Sequence, residues 1–227
     1  RVPVGLYWRP GQPGGTAHVM AWTAAGGMVD LGSSGFSSRA DAANADGSVI
    51  VGWDEHPQFG NRRAAVWVNG VKTVLEDSDW PSEASAVSAD GSIVVGQGPD
   101  LDTFQVVAMM WRRQGDTWTR QKLGVIASPL ALAGGTAYAT GASDDGSIVV
   151  GINRPDQMSP SSYGFVWTPA GGFQKATTWL KERGISFPPT QKPYTVSTVS
   201  ADGSTLAVLV QNRRTGALGT VLVRRAP

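Results

Sequence analysis

The chain has 227 residues, with 19 basic and 18 acidic side chains, a formal net charge of +1 and only 16% charged residues. So sparse and balanced a charge gives no electrostatic basis for binding nucleic acid or an anionic membrane. The absence of cysteine excludes disulfides, thiolate metal sites and a cysteine nucleophile, and no apolar run reaches the ~20 residues needed to span a bilayer.

In chain order, the text is built from one recurring phrase. Val4-Gly5 matches the end of a short apolar strand, so the chain opens inside a repeat. His18 to Trp22 reads as a strand, Gly26-Gly27 as a turn, and Met28 to Gly32 as the next strand. Then comes ADGSVIVG from Ala45 to Gly52. It recurs as ADGSIVVG (Ala89 to Gly96), DDGSIVVG (Asp144 to Gly151) and ADGSTLAV (Ala201 to Val208). Trp67, Trp111 and Trp167 follow the aspartates of the first three copies at near-constant distance, and Leu222 takes that place in the last. Self-similarity of this period marks a repeat architecture.

Each unit divides into four short strands, a to d. Strand a is rich in Ala and Ser: 42–45, 84–89, 138–143 and 195–200. That composition suits a crowded innermost strand. Asp-Gly follows, with the signature of a two-residue type I′ turn. Strand b is the apolar triplet 49–51, 93–95, 148–150 or 205–208, closed in three copies by Gly52, Gly96 and Gly151. Strand c carries the Trp, and strand d follows a glycine turn such as Asn69-Gly70 or Gly171-Gly172. Four short strands per unit predict an all-β chain, a β-propeller of about five four-stranded antiparallel blades. The first blade lacks strand a and the last lacks strand d, so the two ends are positioned to complete one another. The units run 1–38, 39–83, 84–136, 137–194 and 195–227, in a single domain. One departure is Thr177 to Gly184, which reads as a short helix with a glycine stop.

The repeated phrase, with His18, Ala21, Trp22, Met28, Leu31 and Gly32 followed by Asn44, Asp46, Gly47, Val51 and Gly52, resembles the bacterial HAF repeat family. Trp179-Leu180 through Gly184 and on to Ser200–Gly203 resembles that family's closing segment. Later copies lack the His, and the last lacks both the Gly and the Trp. The resemblance implies a repeat protein that is exported to the periplasm, cell surface or medium. It implies no reaction.

The repeats assign the conspicuous residues to architecture. Asp46, Asp90, Asp145 and Asp202 are expected to shape their turns through bonds to the local backbone, and the Trp series to pack between blades. The glycines are not phosphate loops, because no helix follows them. They are expected to close strand b where the chain enters a loop. His18 and His56, the only histidines, show no triad or metal spacing. Hence no catalytic residue, metal ligand or cofactor is assigned.

Alternating strand directions place the tight turns on one face and the long, variable b–c and d–a loops on the other. Variable loops on a rigid scaffold are where function concentrates. The candidate ligand-binding residues there are Trp8, Trp53, His56, Arg62, Trp80, Arg154 and Tyr163, an aromatic and charged set suited to a carbohydrate or a protein surface. The sequence reads as a non-catalytic binding, adhesion or scaffold module for a surface polymer or protein. The alternative is a propeller hydrolase or lyase acting on a polysaccharide through loop carboxylates such as Asp54, Glu55, Asp77 or Asp100, which would need two carboxyls ~5–10 Å apart.

Overall fold

A computed structural model describes residues 2–10, 15–131, 134–158 and 160–224. Parts of the 6–16, 124–136 and 152–163 loops lie outside these residues, as does Arg225. The described chain is all-β apart from one helix, and its sheets are the blades of a β-propeller. Its internal contacts divide it into two compact units. The first holds residues 1–99 and 110–121, and the second holds 100–109 and 122–227.

In the first unit, β1 (Val4–Arg9), β2 (Thr16–Thr23) and β3 (Gly27–Gly32) form a three-stranded antiparallel sheet. A complete blade follows, from β4 (Ser38–Ala43), β5 (Val49–Glu55), β6 (Arg62–Val68) and β7 (Val71–Val74) in sequential order. The next hairpin is β8 (Glu83–Val87) and β9 (Ile93–Asp100), continued by β10 (Gln105–Gln114) and β11 (Thr117–Gly124). In the second unit, β12 (Thr136–Ala142), β13 (Val149–Arg154), β14 (Tyr163–Thr168) and β15 (Gly172–Lys175) make another blade. There Val106 also pairs in parallel with Thr136. The helix α1 (Ala176–Glu182) leads to the three-stranded sheet β16 (Gln191–Val199), β17 (Thr205–Asn212) and β18 (Leu218–Arg224). The first and last sheets thus have three strands, as the missing a and d strands predict.

The Asp-Gly-Ser phrase folds almost identically four times. The aspartate accepts the N–H of Ser48, Ser92, Ser147 or Ser204 at 2.9–3.0 Å. The residue two before it, Asn44, Ser88, Ser143 or Ser200, accepts the N–H that opens strand b. These bonds satisfy the turn's own backbone groups, so the aspartates are architectural. The turn is not type I′. Only its glycine, at φ +64° to +80°, is left-handed. The loop has four residues, because Ser88 N–H bonds the Ile93 carbonyl and Gly91 N–H bonds the Ser88 carbonyl. The hairpin with two left-handed residues is Asn69-Gly70 (φ 49° and 82°), between β6 and β7.

Gly52, Gly96 and Gly151 lie inside their strands, not at the ends. β5 continues to Glu55 and β9 to Asp100. A Cβ at these glycines would stand 1.9–2.0 Å from the carbonyl oxygens of Arg39, Glu83 and Tyr138 on the neighbouring strand a. Each lies beside a β-bulge of strand a, at Asp41, Ser85 and Thr140 respectively. The last copy has Val208 instead, and β16 carries a second bulge at Tyr194 besides the one at Ser197.

The Trp wedges pack as expected where an earlier sheet of the same unit faces them. Trp67 is fully buried among Val19, Ala21, Ala40, Ile50 and Ala65, and donates its Nε1–H to the Leu31 carbonyl at 3.3 Å. Trp22 belongs to the first sheet and is 44% exposed. In the last sheet the wedge is Val223, not Leu222. Leu206 pairs with Val223 as Ile50 pairs with Trp67, and Val223 is buried against Val150 and Val166. Leu222 is exposed. The helix adds Ala176, Trp179 and Leu180 to that core and ends on Gly184 at φ +71°.

Candidate functional site

The seven residues singled out from the sequence divide between the units. Trp8, Trp53, His56, Arg62 and Trp80 belong to the first, Arg154 and Tyr163 to the second. Trp53 is not on a loop. It pairs with Arg39 near the end of β5 and is 5% exposed. Arg62 opens β6 and lays its guanidinium over the Trp53 ring, 4.4 Å from the centroid, while that of Arg39 stands at 5.5 Å. Trp53 and Arg62 are therefore brought together. His56 serves its own loop: it stacks on Phe59 at 4.7 Å, and its Nδ1 accepts the amide N–H groups of Gln58 and Phe59. Trp8 is exposed and lies against Gly15, and Trp80 is half-exposed. In the second unit, Arg154 reaches the Tyr138 ring at 6.0 Å. Tyr163 carries the Lys175 ammonium 4.8 Å above its ring, and burial raises its hydroxyl pKa.

Around Trp53 and Arg62 the structure adds three residues that the loop argument passed over. Arg39 donates through Nε to Asp41 Oδ1 at 2.8 Å and through Nη2 to Glu83 Oε1 at 2.9 Å. Arg62 donates through Nη1 to Glu83 Oε2 at 3.2 Å. Two cations thus grip one carboxylate, with a second carboxylate beside it. Arg39 and Glu83 hold equivalent positions on the adjacent a strands β4 and β8, each with its carbonyl against the repeat's glycine. Asp41 is the bulged residue of β4, where β8, β12 and β16 have Ser85, Thr140 and Ser197. A bulge re-aims its side chain, and only here does that side chain carry charge. Burial, with Glu83 alongside, pushes the Asp41 carboxyl up to about 7, against the pull of Arg39. Below that pH, the Asp41 carboxyl no longer offsets the two guanidiniums with a full charge. Asp41 Oδ2, Trp53 Nε1 and Gln97 Oε1, the last opposite Glu83 in the β8–β9 register, are buried without a hydrogen-bond partner among the described residues. Buried polar atoms are rarely left so.

Three of the four carboxylates expected of a loop-face enzyme, Asp54, Asp77 and Asp100, are engaged elsewhere. Asp54 is fully buried and accepts from Ser33 Oγ, Ser34 N–H and Lys72 Nζ, the last at 2.8 Å, with Arg63 at 3.9 Å. Asp77 pairs with Arg63 at 2.7 Å. Asp100 accepts from Lys122 and Thr103. His18 bonds Asp30 at 3.0 Å, and Asp30 also accepts from Tyr7 at 2.7 Å. Burial pushes the Asp30 carboxyl up, but these bonds and the Gly32 N–H outweigh it and lower its pKa. Among the described residues no group of His, Asp and Glu is arranged to hold a metal ion.

No family model matches the chain, and no curated protein matches it in sequence. Solved structures do match in fold. TolB from Acinetobacter baumannii is 13% identical with a TM-score of 0.52, over 96% of this chain and 52% of its own length. The putative TolB from Agrobacterium tumefaciens is 10% identical with a TM-score of 0.51, over 91% of this chain and 74% of that one. Dipeptidyl peptidase 4 from Porphyromonas gingivalis is 8% identical with a TM-score of 0.53, over 92% of this chain and 35% of the peptidase. The chain thus spans about half the length of the Acinetobacter TolB. At these identities the likeness is one of fold, and it agrees with the blade-by-blade register: the chain is an all-β propeller.

Proposed function

We propose that the protein is an exported, non-catalytic binding module that recognises an acidic cell-surface polymer or protein through Arg39 and Arg62. One observation carries the reading: the Arg62 guanidinium lies over the ring of buried Trp53, is half-exposed, and shares Glu83 with Arg39. A guanidinium fixed in place offers carboxylates a fork at low entropic cost. With the Asp41 carboxyl pushed up to about 7, lower pH leaves less negative charge beside the two guanidiniums, which favours an anion. Trp53 Nε1, a buried donor with no partner among the described residues, supports a ligand that accepts a hydrogen bond. Export is proposed from the resemblance of the repeats to exported HAF proteins.

The test is an array of acidic and neutral glycans and proteins, read at pH 6 and pH 8 with wild type and Arg62→Ala. The expected result is retention of acidic ligands, stronger at pH 6, and a loss of about tenfold in Arg62→Ala. Equal retention by Arg62→Ala, or a preference for neutral ligands, overturns it.

A second reading rests on Asp41 and Glu83 themselves. A carboxyl pushed up to about 7 is a candidate general acid for glycoside cleavage. Polysaccharide turnover that disappears in both Asp41→Asn and Glu83→Gln would replace the binding reading with this one.

A further inference from the structure

The second unit carries a groove that none of the repeat arguments uses. It lies where α1 passes into the 185–193 segment, and its volume is about 340 Å³. Buried Leu180 and half-buried Ile185 and Phe187 supply its apolar lining, with Pro188 and Pro193 as rigid walls. Two cations line it, Lys181 from the last turn of α1 and Arg213 from the β17–β18 loop. No acidic residue lines it, and neither cation has an acidic partner among the described residues. The remaining lining includes Ser186 and Gln191, whose side chains can both donate and accept hydrogen bonds.

We infer that this groove binds the C-terminal end of a peptide, with an apolar last side chain against Leu180, Ile185 and Phe187 and the terminal carboxylate between Lys181 and Arg213. Charge complementarity selects an anion, and the apolar lining selects one joined to an apolar group. Ser186 and Gln191 decide between a peptide and a plain alkyl carboxylate. The amides of a peptide can pair with them, whereas a hydrocarbon chain offers them no hydrogen bond. The volume, at the small end of the ~300–1,000 Å³ range of ligand pockets, suits about two terminal residues.

The experiment uses fluorescence anisotropy on the whole chain. The probes are an N-terminally labelled Ala-Ala-Phe with a free carboxylate and the same peptide as its C-terminal amide, with decanoate as competitor. The free acid is expected to bind saturably, and the amide about tenfold more weakly. Arg213→Ala should weaken the acid to a similar degree while the amide changes little. Arg62→Ala should leave both unchanged, which separates this site from the one proposed above. The acid–amide comparison rests on wild type alone, so it stands even if a variant fails to fold. Absence of saturable binding, equal binding of acid and amide, or displacement by decanoate at lower concentration than by unlabelled peptide would each overturn the proposal.

Discussion

Asp41 and Glu83, on neighbouring inner strands, are bound by the same guanidinium. Arg39 Nη2 stands 2.8 Å from the aspartate and 2.9 Å from the glutamate. The consequence is a pH dependence with two arms. The ordinary carboxyl of Asp41 is pushed up to about 7, so its contribution to stability is fully present below about pH 4 and is lost as pH rises through 7. The turn aspartates run the other way. Hydrogen bonds from Ser200 and Ser204 lower Asp202 to about 2, and Asp46, Asp90 and Asp145 are also lowered. Their contribution is present above about pH 4 and is lost as pH falls through their depressed values. Melting temperature is therefore expected to peak in mildly acid solution. Asp41→Asn should flatten the decline between pH 5 and 8 and leave the acid arm intact. A decline unchanged in that variant would remove Asp41 as its source.

The repeated glycine supplies a prediction with a control inside the same chain. Gly52 faces the Arg39 carbonyl so closely that a methyl group would lie 1.9 Å from the oxygen, with backbone as the obstacle. Gly5 occupies the matching place in the first sheet, which has no strand a, and a Cβ there meets nothing within 4 Å. Gly52→Ala is expected to destabilise by about 3 kcal/mol, because a strand must move to admit the methyl. Gly5→Ala should lie within about 0.5 kcal/mol of wild type. Urea unfolding of the two variants checks this. Similar losses would show that the glycine serves chain flexibility and not close approach.

Much of this was legible in the sequence. The phrase spacing gave the blades, their strand order and the three-stranded ends, because each repeat solves the same packing problem. What escaped was geometry that the period alone does not encode. The glycine read as a strand end, since nothing in the text reveals the carbonyl pressed against it. Asp41 escaped because a bulge, which re-aims a side chain, leaves no mark in a hydrophobic pattern. One signal was present: aligning strand a on the Asp-Gly turn sets Asp41 against Ser85, Thr140 and Ser197, a lone carboxylate in a column of hydroxyls. Trp53 reads as a loop residue from the sequence because the glycine before it reads as the end of strand b. Leu222 reads as the wedge from spacing alone, and Val223, one residue on, is too common a residue to stand out.

Burial of the wedge depends on the sheet it faces. Trp67 is enclosed by the core shared by the first two sheets, whereas Trp22, at the same register, is 44% exposed. Trp67→Ala is expected to cost about 4 kcal/mol, from lost transfer energy and the cavity left behind. Trp22→Ala should cost less than about 1 kcal/mol, since most of that loss requires burial. Equal costs in chemical denaturation would mean that Trp22 is buried in solution.

Asp54 tests the claim that loop-face carboxylates are structural. It is 0% exposed, and Lys72 Nζ at 2.8 Å is its nearest cation. Arg63, at 3.9 Å, is already bound more closely to Asp77. Lys72→Met removes the near cation while keeping an aliphatic stem, and leaves a buried carboxylate with only Ser33, Ser34 and the distant Arg63. Such a loss typically costs about 3–5 kcal/mol. The expected value is near the lower end, because the Ser34 N–H and Ser33 hydroxyl remain to share the charge. Asp54→Asn combined with Lys72→Met should recover a large part of the loss, since the uncompensated charge is then gone. Chemical denaturation of the single and double variants reads this coupling. Additive losses would show that the two side chains do not depend on each other. Acidic-ligand binding at Arg62 that survives in the double variant would keep Asp54 out of the recognition site.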